Sequence, residues 1–123
     1  MLTIDTEKSS DVVVVHCAGR LVRGEEVCTL RNAVVSEETT RVVVVDLSQL
    51  EFMDVGGLNA LVSLHHWTRN HGIQFKLVNP SRFVEEMLTR TGLNRVFDIS
   101  SLQEVLVVLG GDHRQQPKYA VGY

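Results

Sequence analysis

The chain has 123 residues, the length of one typical domain, so a single hydrophobic core is expected. With 44% hydrophobic and 22% charged residues it lies far from the low-hydrophobicity, high-charge signature of disorder. The net charge of -3, with basic residues scattered along the chain, excludes the concentrated positive potential that drives phosphate binding, so nucleic acid is not an expected partner. No apolar run approaches the roughly 18 residues of a membrane span, and MLTIDTEKSSD lacks the basic-then-apolar pattern of a secretory signal. A cytoplasmic protein with no direct membrane insertion is the expectation.

In chain order, LTIDTE (2–7) is a candidate edge strand. DVVVVHCAG (11–19) and RVVVVDLSQL (41–50) each carry four consecutive valines, whose β-branched side chains favour a pleated backbone. Val42 to Val45 are apolar at every position, which predicts a strand covered on both faces, with Asp46 at its carboxyl end. Between the valine runs, Val27, Leu30 and Val34 recur at helical spacing behind Glu25 and Glu26, predicting a helix over 25–35. A second helix is predicted over 56–70, ending before Gly72, and a short strand FKLVN (75–79) follows. A third helix begins behind Pro80, with Ser81 as its cap and Val84, Met87 and Leu88 as its apolar stripe, and Gly92 ends it.

The last predicted helix has a capping-box start at Ser100 and Gln103, or Ser101 and Glu104, with Leu102, Val105, Leu106 and Leu109 as its apolar face. Gly110 and Gly111 stop it. Residues 1–109 are therefore expected as the domain and 110–123 as a flexible C-terminal tail. About four strands alternating with about four helices predict one α/β domain with a mainly parallel or mixed sheet.

The junction EFMDVGGLNAL (51–61) joins a strand to the second helix. Asp54 sits where the first free amides of that helix need acceptors, so it is a cap or near-cap. Gly56 and Gly57 permit close approach of another backbone. The same geometry suits a phosphate at a helix amino terminus, but two adjacent glycines without a phosphate-loop lysine are a weak signal for one. The helix carries two apolar stripes: Leu58, Leu61, Val62 and His65 on one face, and Ala60, Leu64 and Trp67 on another. The first is expected on the sheet, and the second on a neighbouring helix or on another protein.

VVVVDLSQLEFMDVGGLNAL and GIQFKLVNPSRFVEEMLTRTGLNRVFDI, taken in order, resemble the STAS domain of bacterial anti-sigma factor antagonists. The resemblance spans about Val12 to Leu109 and rests on the Asp-Leu-Ser, Phe-Met-Asp, Gly-Leu and Thr-Gly-Leu elements. It implies a non-catalytic interaction module that binds an anti-sigma factor, itself a serine kinase, and so releases a sigma factor. In the family the junction reads Asp-Ser-Ser-Gly or Asp-Ser-Thr-Gly, and the hydroxyl before the last glycine is the phosphoacceptor. Here Asp54 takes the Asp position, Val55 the first Ser, Gly56 the phosphoacceptor and Gly57 the final glycine. The acceptor is therefore missing, and in GRLVRGEE Val22 stands where the family has an acid. The surface expected to bind the partner is Asp54, Val55, Gly56, Gly57, Asn59 and Trp67. Ser48 and Ser63 are the nearest other hydroxyls that a kinase would reach.

The same resemblance admits a second role, as an accessory subunit of an ABC-type membrane transport complex. A homodimer is compatible with either. Catalysis is not expected: His65 with Asp54 is the only acid–base pairing to weigh, and no Ser or Cys is placed beside a His–carboxylate pair. His65 and His66 are adjacent rather than at the i, i+4 spacing that aligns metal ligands, so neither a metal nor another cofactor is expected. A phosphoacceptor receiver domain would want acids after the first valine strand, where HCAGRL has none, so Asp46 reads as a polar strand end that binds loop amides. Cys17 and Cys28 form no ligand spacing; both are expected as buried thiols, with a disulfide switch as the alternative.

Overall fold

The computed structural model describes residues 2–35, 40–101, 103 and 105. Its elements run β1 (Leu2–Ser9), β2 (Val12–Leu21), α1 (Glu25–Val35), β3 (Val42–Met53), α2 (Val55–Asn70), β4 (Gln74–Val78), α3 (Arg82–Thr91), a short 3-10 turn (Leu93–Arg95) and β5 (Asp98–Ser100). The strands form one sheet in the order β1-β2-β3-β4-β5, with β1 antiparallel to β2 and every later pair parallel. The α/β class and mixed sheet match the expectation. The fifth strand was not expected, because three residues between a 3-10 turn and Ser101 carry no periodic signal of their own.

The valine strands form the centre. Val43, Val44 and Val45 are fully buried and Val42 nearly so, because helices cover one face of β3 and a smaller apolar cluster covers the other. The main core lies on the helix side: Val13, Val15, Cys17, Val43 and Val45 meet Leu30 and Val34 of α1, Leu58, Leu61 and Leu64 of α2, and Val84 and Leu88 of α3. Each such side chain stabilises the fold by roughly 1.5–3 kcal/mol relative to exposure. On the opposite side Val12, Val14, Val42, Val44 and Val78 cluster with Val105.

β3 does not stop at Asp46. It continues to Met53, and its inward residues step by three, Leu47, Leu50, Met53, rather than by two. The pairing explains the step. Register shifts fall between His16 and Ala18 and between Gly19 and Arg20, each placing an extra β3 residue against β2, and each extra residue returns the next leucine or methionine to the core. The broken alternation hid this half of the strand from the sequence pattern. Its consequence is positional, since the bulged β3 ends at Met53 directly beside Leu21 at the end of β2.

The helix ends follow the expected chemistry. Ser81 caps α3 by accepting from the Val84 amide at 3.4 Å, and Gly92 closes it in the left-handed region at φ 76°. Gly72 follows α2 at φ 69°. Of the helix expected after Ser100, only residues 103 and 105 are described: both are helical, and the Val105 amide donates to the Ser101 carbonyl. The rest of it and the expected tail at 110–123 lie outside the described residues. One expectation is corrected. Cys17 is buried but Cys28 is exposed, because it falls off the apolar stripe of α1 that Leu30 and Val34 define.

Candidate functional site

The end of β2 and the start of α2 meet without side chains between them. The Asp54 amide donates to the Leu21 carbonyl at 3.3 Å, which ties the exit of β3 to the end of β2. The Asp54 carboxylate then accepts twice, from the Gly57 amide at 2.8 Å on Oδ1 and from the Arg23 amide at 3.2 Å on Oδ2. One carboxylate thus caps α2 and holds the loop that leads into α1. These two backbone hydrogen bonds, Gly57 first and then Arg23, hold the Asp54 carboxyl below its usual range.

The two glycines are there for room. A Cβ on Gly57 would lie 2.2 Å from the Leu21 carbonyl oxygen and 2.9 Å from Met53 Cγ. A Cβ on Gly56 would lie 2.7 Å from Arg23 Cβ and 3.1 Å from Arg23 Cα. The separations of 2.2, 2.9 and 2.7 Å are under any real Cβ contact, so the Leu21–Arg23 stretch packs at this distance only against glycine. The close approach read from the glycine pair is therefore present, and its partner is the β2–α1 loop. Arg23 was not among the residues singled out from the sequence; an unpaired arginine in a loop gives no pattern to find it by.

Val55 opens α2 with 63% of its surface exposed, and Asn59, one turn on, is exposed on the same edge. No acidic residue occupies the first turn of α2. Flanking the junction on the sheet, the Arg20 guanidinium lies 4.6 Å over the ring of Phe52, and Phe52 packs at 5.3 Å against Phe83 of α3. Trp67 does not join this group. Twelve residues beyond Val55 along α2, it is about 18 Å away, half-buried and stacked at 4.3 Å on His71, whose Nδ1 pairs with the Trp67 carbonyl.

The remaining stripes of α2 settle as packing. Leu58, Leu61, Ala60 and Leu64 are buried, and α2 packs against α1. His65 turns its ring edge toward Phe97 at 5.5 Å and toward Phe75 at 6.4 Å, and burial, then the charges of His66 and Arg69, lower its pKa. It stands eleven residues from Asp54, about 16 Å along the helix, so the two do not form an acid–base pair. Asp46 is not a strand end and the amide it binds is not a loop amide: it lies within β3, accepts from the amide of Ser48 in the same strand at 3.0 Å, and also meets His16, which the sequence pattern gave no reason to expect. Cys17, pushed up to about 12 by burial and then by the Asp46 charge, is held as an unreactive thiol. Among the described residues no group of three metal-ligating side chains converges, and no helix is long and apolar enough to cross a membrane.

The family model described as STAS domain matches residues 3–105. No curated protein sequence matches the chain. Among solved structures, the anti-sigma factor antagonist SpoIIAA in its unphosphorylated form superposes with a TM-score of 0.71 at 19% identity, covering 89% of this chain and 97% of that one. An anti-sigma factor antagonist from Mycobacterium paratuberculosis gives 0.75 at 23% identity, over 88% of this chain and 93% of that one. A sulfate transporter family protein from Wolinella succinogenes gives 0.69 at 19% identity, over 80% and 84%. At these identities the structures share the fold. With the family model covering most of its length, the chain belongs to the STAS domain family.

Proposed function

We propose that the protein is an anti-sigma factor antagonist that binds an anti-sigma factor serine kinase through the start of α2, frees a sigma factor, and is not controlled by phosphorylation at the family's usual position. It acts in the cytoplasm and carries out no catalysis of its own. The observation that carries this reading is the packing of Gly56 under Arg23. The position has no hydroxyl, and a serine Cβ there would stand 2.7 Å from Arg23 Cβ, so it also has no room for one. A phosphate at that point would add roughly -1.5 to -2 charges beside the contact surface and repel an acidic or apolar partner. Without it, the antagonist stays in its binding form, and control falls on other steps, such as its own synthesis.

The test is capture of partners from the protein's own cells by the tagged chain and by Val55→Glu. This substitution sets a negative charge at the exposed first position of α2, where the helix dipole tolerates it. A serine-kinase anti-sigma factor enriched by the native chain and lost with Val55→Glu is the expected result. Similarity to the Wolinella sulfate transporter family protein supports a second reading, an accessory subunit of a membrane transport complex. Enrichment of an ABC-type ATPase or a permease in place of the kinase selects that reading and overturns the first.

A further inference from the structure

His16 lies in the middle of β2 with a carboxylate on each ring nitrogen. Asp46 Oδ2 of β3 is 2.7 Å from Nδ1, and Glu7 Oε2 of β1 is 2.7 Å from Nε2. A carboxylate accepts and does not donate unless protonated, so both nitrogens must carry hydrogens for both contacts to be hydrogen bonds, and only the imidazolium has two. The other charged groups on this side of the three strands strengthen the demand. Asp5 stands directly opposite His16 in the β1–β2 register, and Lys76, farther along the same side on β4, is taken up by Asp98 of β5. On the neighbouring positions of its own strand His16 has Val15 and Cys17, which face the main core.

We propose that His16 is a proton-dependent clasp: its imidazolium ties the edge strand β1 to the central strand β3 across β2, and loss of one proton releases β1 from that tie. The asymmetry of the two carboxylates sets which contact breaks. The Asp46 side chain is 12% exposed and its other oxygen already holds the Ser48 amide, whereas Glu7 is 38% exposed and can turn to water. A neutral His16 therefore keeps its one hydrogen on Nδ1 for Asp46 and leaves a lone pair facing Glu7, which swings away. β1 pairs with β2 alone, and the clasp links it through His16 to β3.

Burial of His16 favours its neutral form, but the hydrogen bonds to Asp46 and Glu7 and then their charges outweigh it and raise its pKa above the usual histidine value. A group raised on folding stabilises the fold fully below its unfolded value of about 6.5, and that contribution fades as pH climbs through the folded value. The attachment of β1 is thus firm below about pH 6.5 and loosens as pH rises through the folded value, which lies above it.

The experiment is a side-chain titration of His16 by NMR on the isotope-labelled full chain, with amide hydrogen exchange of β1 followed from about pH 6 to about pH 9. The expected result is two ring N–H groups at about pH 6, a midpoint above that of an unfolded histidine, and β1 protection that falls roughly tenfold beyond the intrinsic rate change as pH passes the midpoint, the loss expected for one charge-assisted hydrogen bond. In Glu7→Gln the amide donates to a neutral Nε2, so β1 protection becomes independent of this titration. A single ring proton on His16 at about pH 6, or the same pH trend of β1 in the Glu7→Gln protein, overturns the proposal. The titration of the native chain decides the matter even if the variant does not fold.

Discussion

Two helices of this domain start against the same stretch of β3, and they start differently. α3 begins as the sequence rules describe: Ser81 accepts from the Val84 amide, gives its own hydroxyl hydrogen to the Leu50 carbonyl at 2.6 Å, and is followed by full side chains with Glu85 in the first turn. α2 begins with a carboxylate that accepts from Gly57 and from Arg23, no acid in the first turn, and two glycines pressed on the backbone of another strand end. The first start serves the fold alone. The second gives up helix propensity at two consecutive positions, roughly 1 kcal/mol each, and brings the β2–α1 loop against the first turn of the helix.

The contrast breaks most visibly at Gly57. Gly57→Ala forces a Cβ to within 2.2 Å of the Leu21 carbonyl oxygen, where backbone must move. A loss of about 3 kcal/mol or more in denaturant unfolding is expected, and an unchanged midpoint would show that the close approach is not real. Ser81→Ala, at the ordinary start, removes one cap and one hydrogen bond to Leu50 and should cost about 1–2 kcal/mol by the same assay.

Gly56→Ala tests the contact with Arg23. Against Arg23 the added methyl should destabilise by about 1 kcal/mol net. In an Arg23→Gly background, where the 2.7 Å Cβ contact is gone, the Arg23 backbone contacts at 3.1 and 3.3 Å remain and the amide still donates to Asp54, the same change should cost less, with helix propensity offsetting about 0.5–1 kcal/mol. Equal effects in both backgrounds would sever the link between the loop and Gly56.

The smallest effect is electrostatic. The Asp54 carboxyl is held low by the Gly57 and Arg23 amides, so its contribution is present above the unfolded carboxyl value of about 3.9 and is lost as pH falls through the lower folded value. Asp54→Asn keeps the cap and should flatten the acid limb of stability against pH, leaving neutral stability little changed.

Much of the fold was legible because its signals are local. Four valines in a row marked β2 and the first half of β3, Ser81 and Gly92 bracketed α3, and Gly72 closed α2. The second half of β3 was not legible, since its inward residues Leu47, Leu50 and Met53 step by three through two bulges that only the partner strand defines. At the site, Asp54 as a cap and the glycine pair as a close approach could be read from residue type. Arg23, which the glycines approach, and Glu7, His16 and Asp46, which three strands bring together, depend on register across 9 to 31 residues of chain separation. No window of sequence contains them.

The central claim is that this STAS domain binds its kinase partner without being switched off by it. It is tested most directly by incubating the native chain with the captured anti-sigma factor kinase and ATP, then measuring its intact mass and its retention in the complex. The account predicts a stable complex and an unchanged mass. Phosphate on Ser48, Ser63 or another hydroxyl, accompanied by release of the partner, would contradict it.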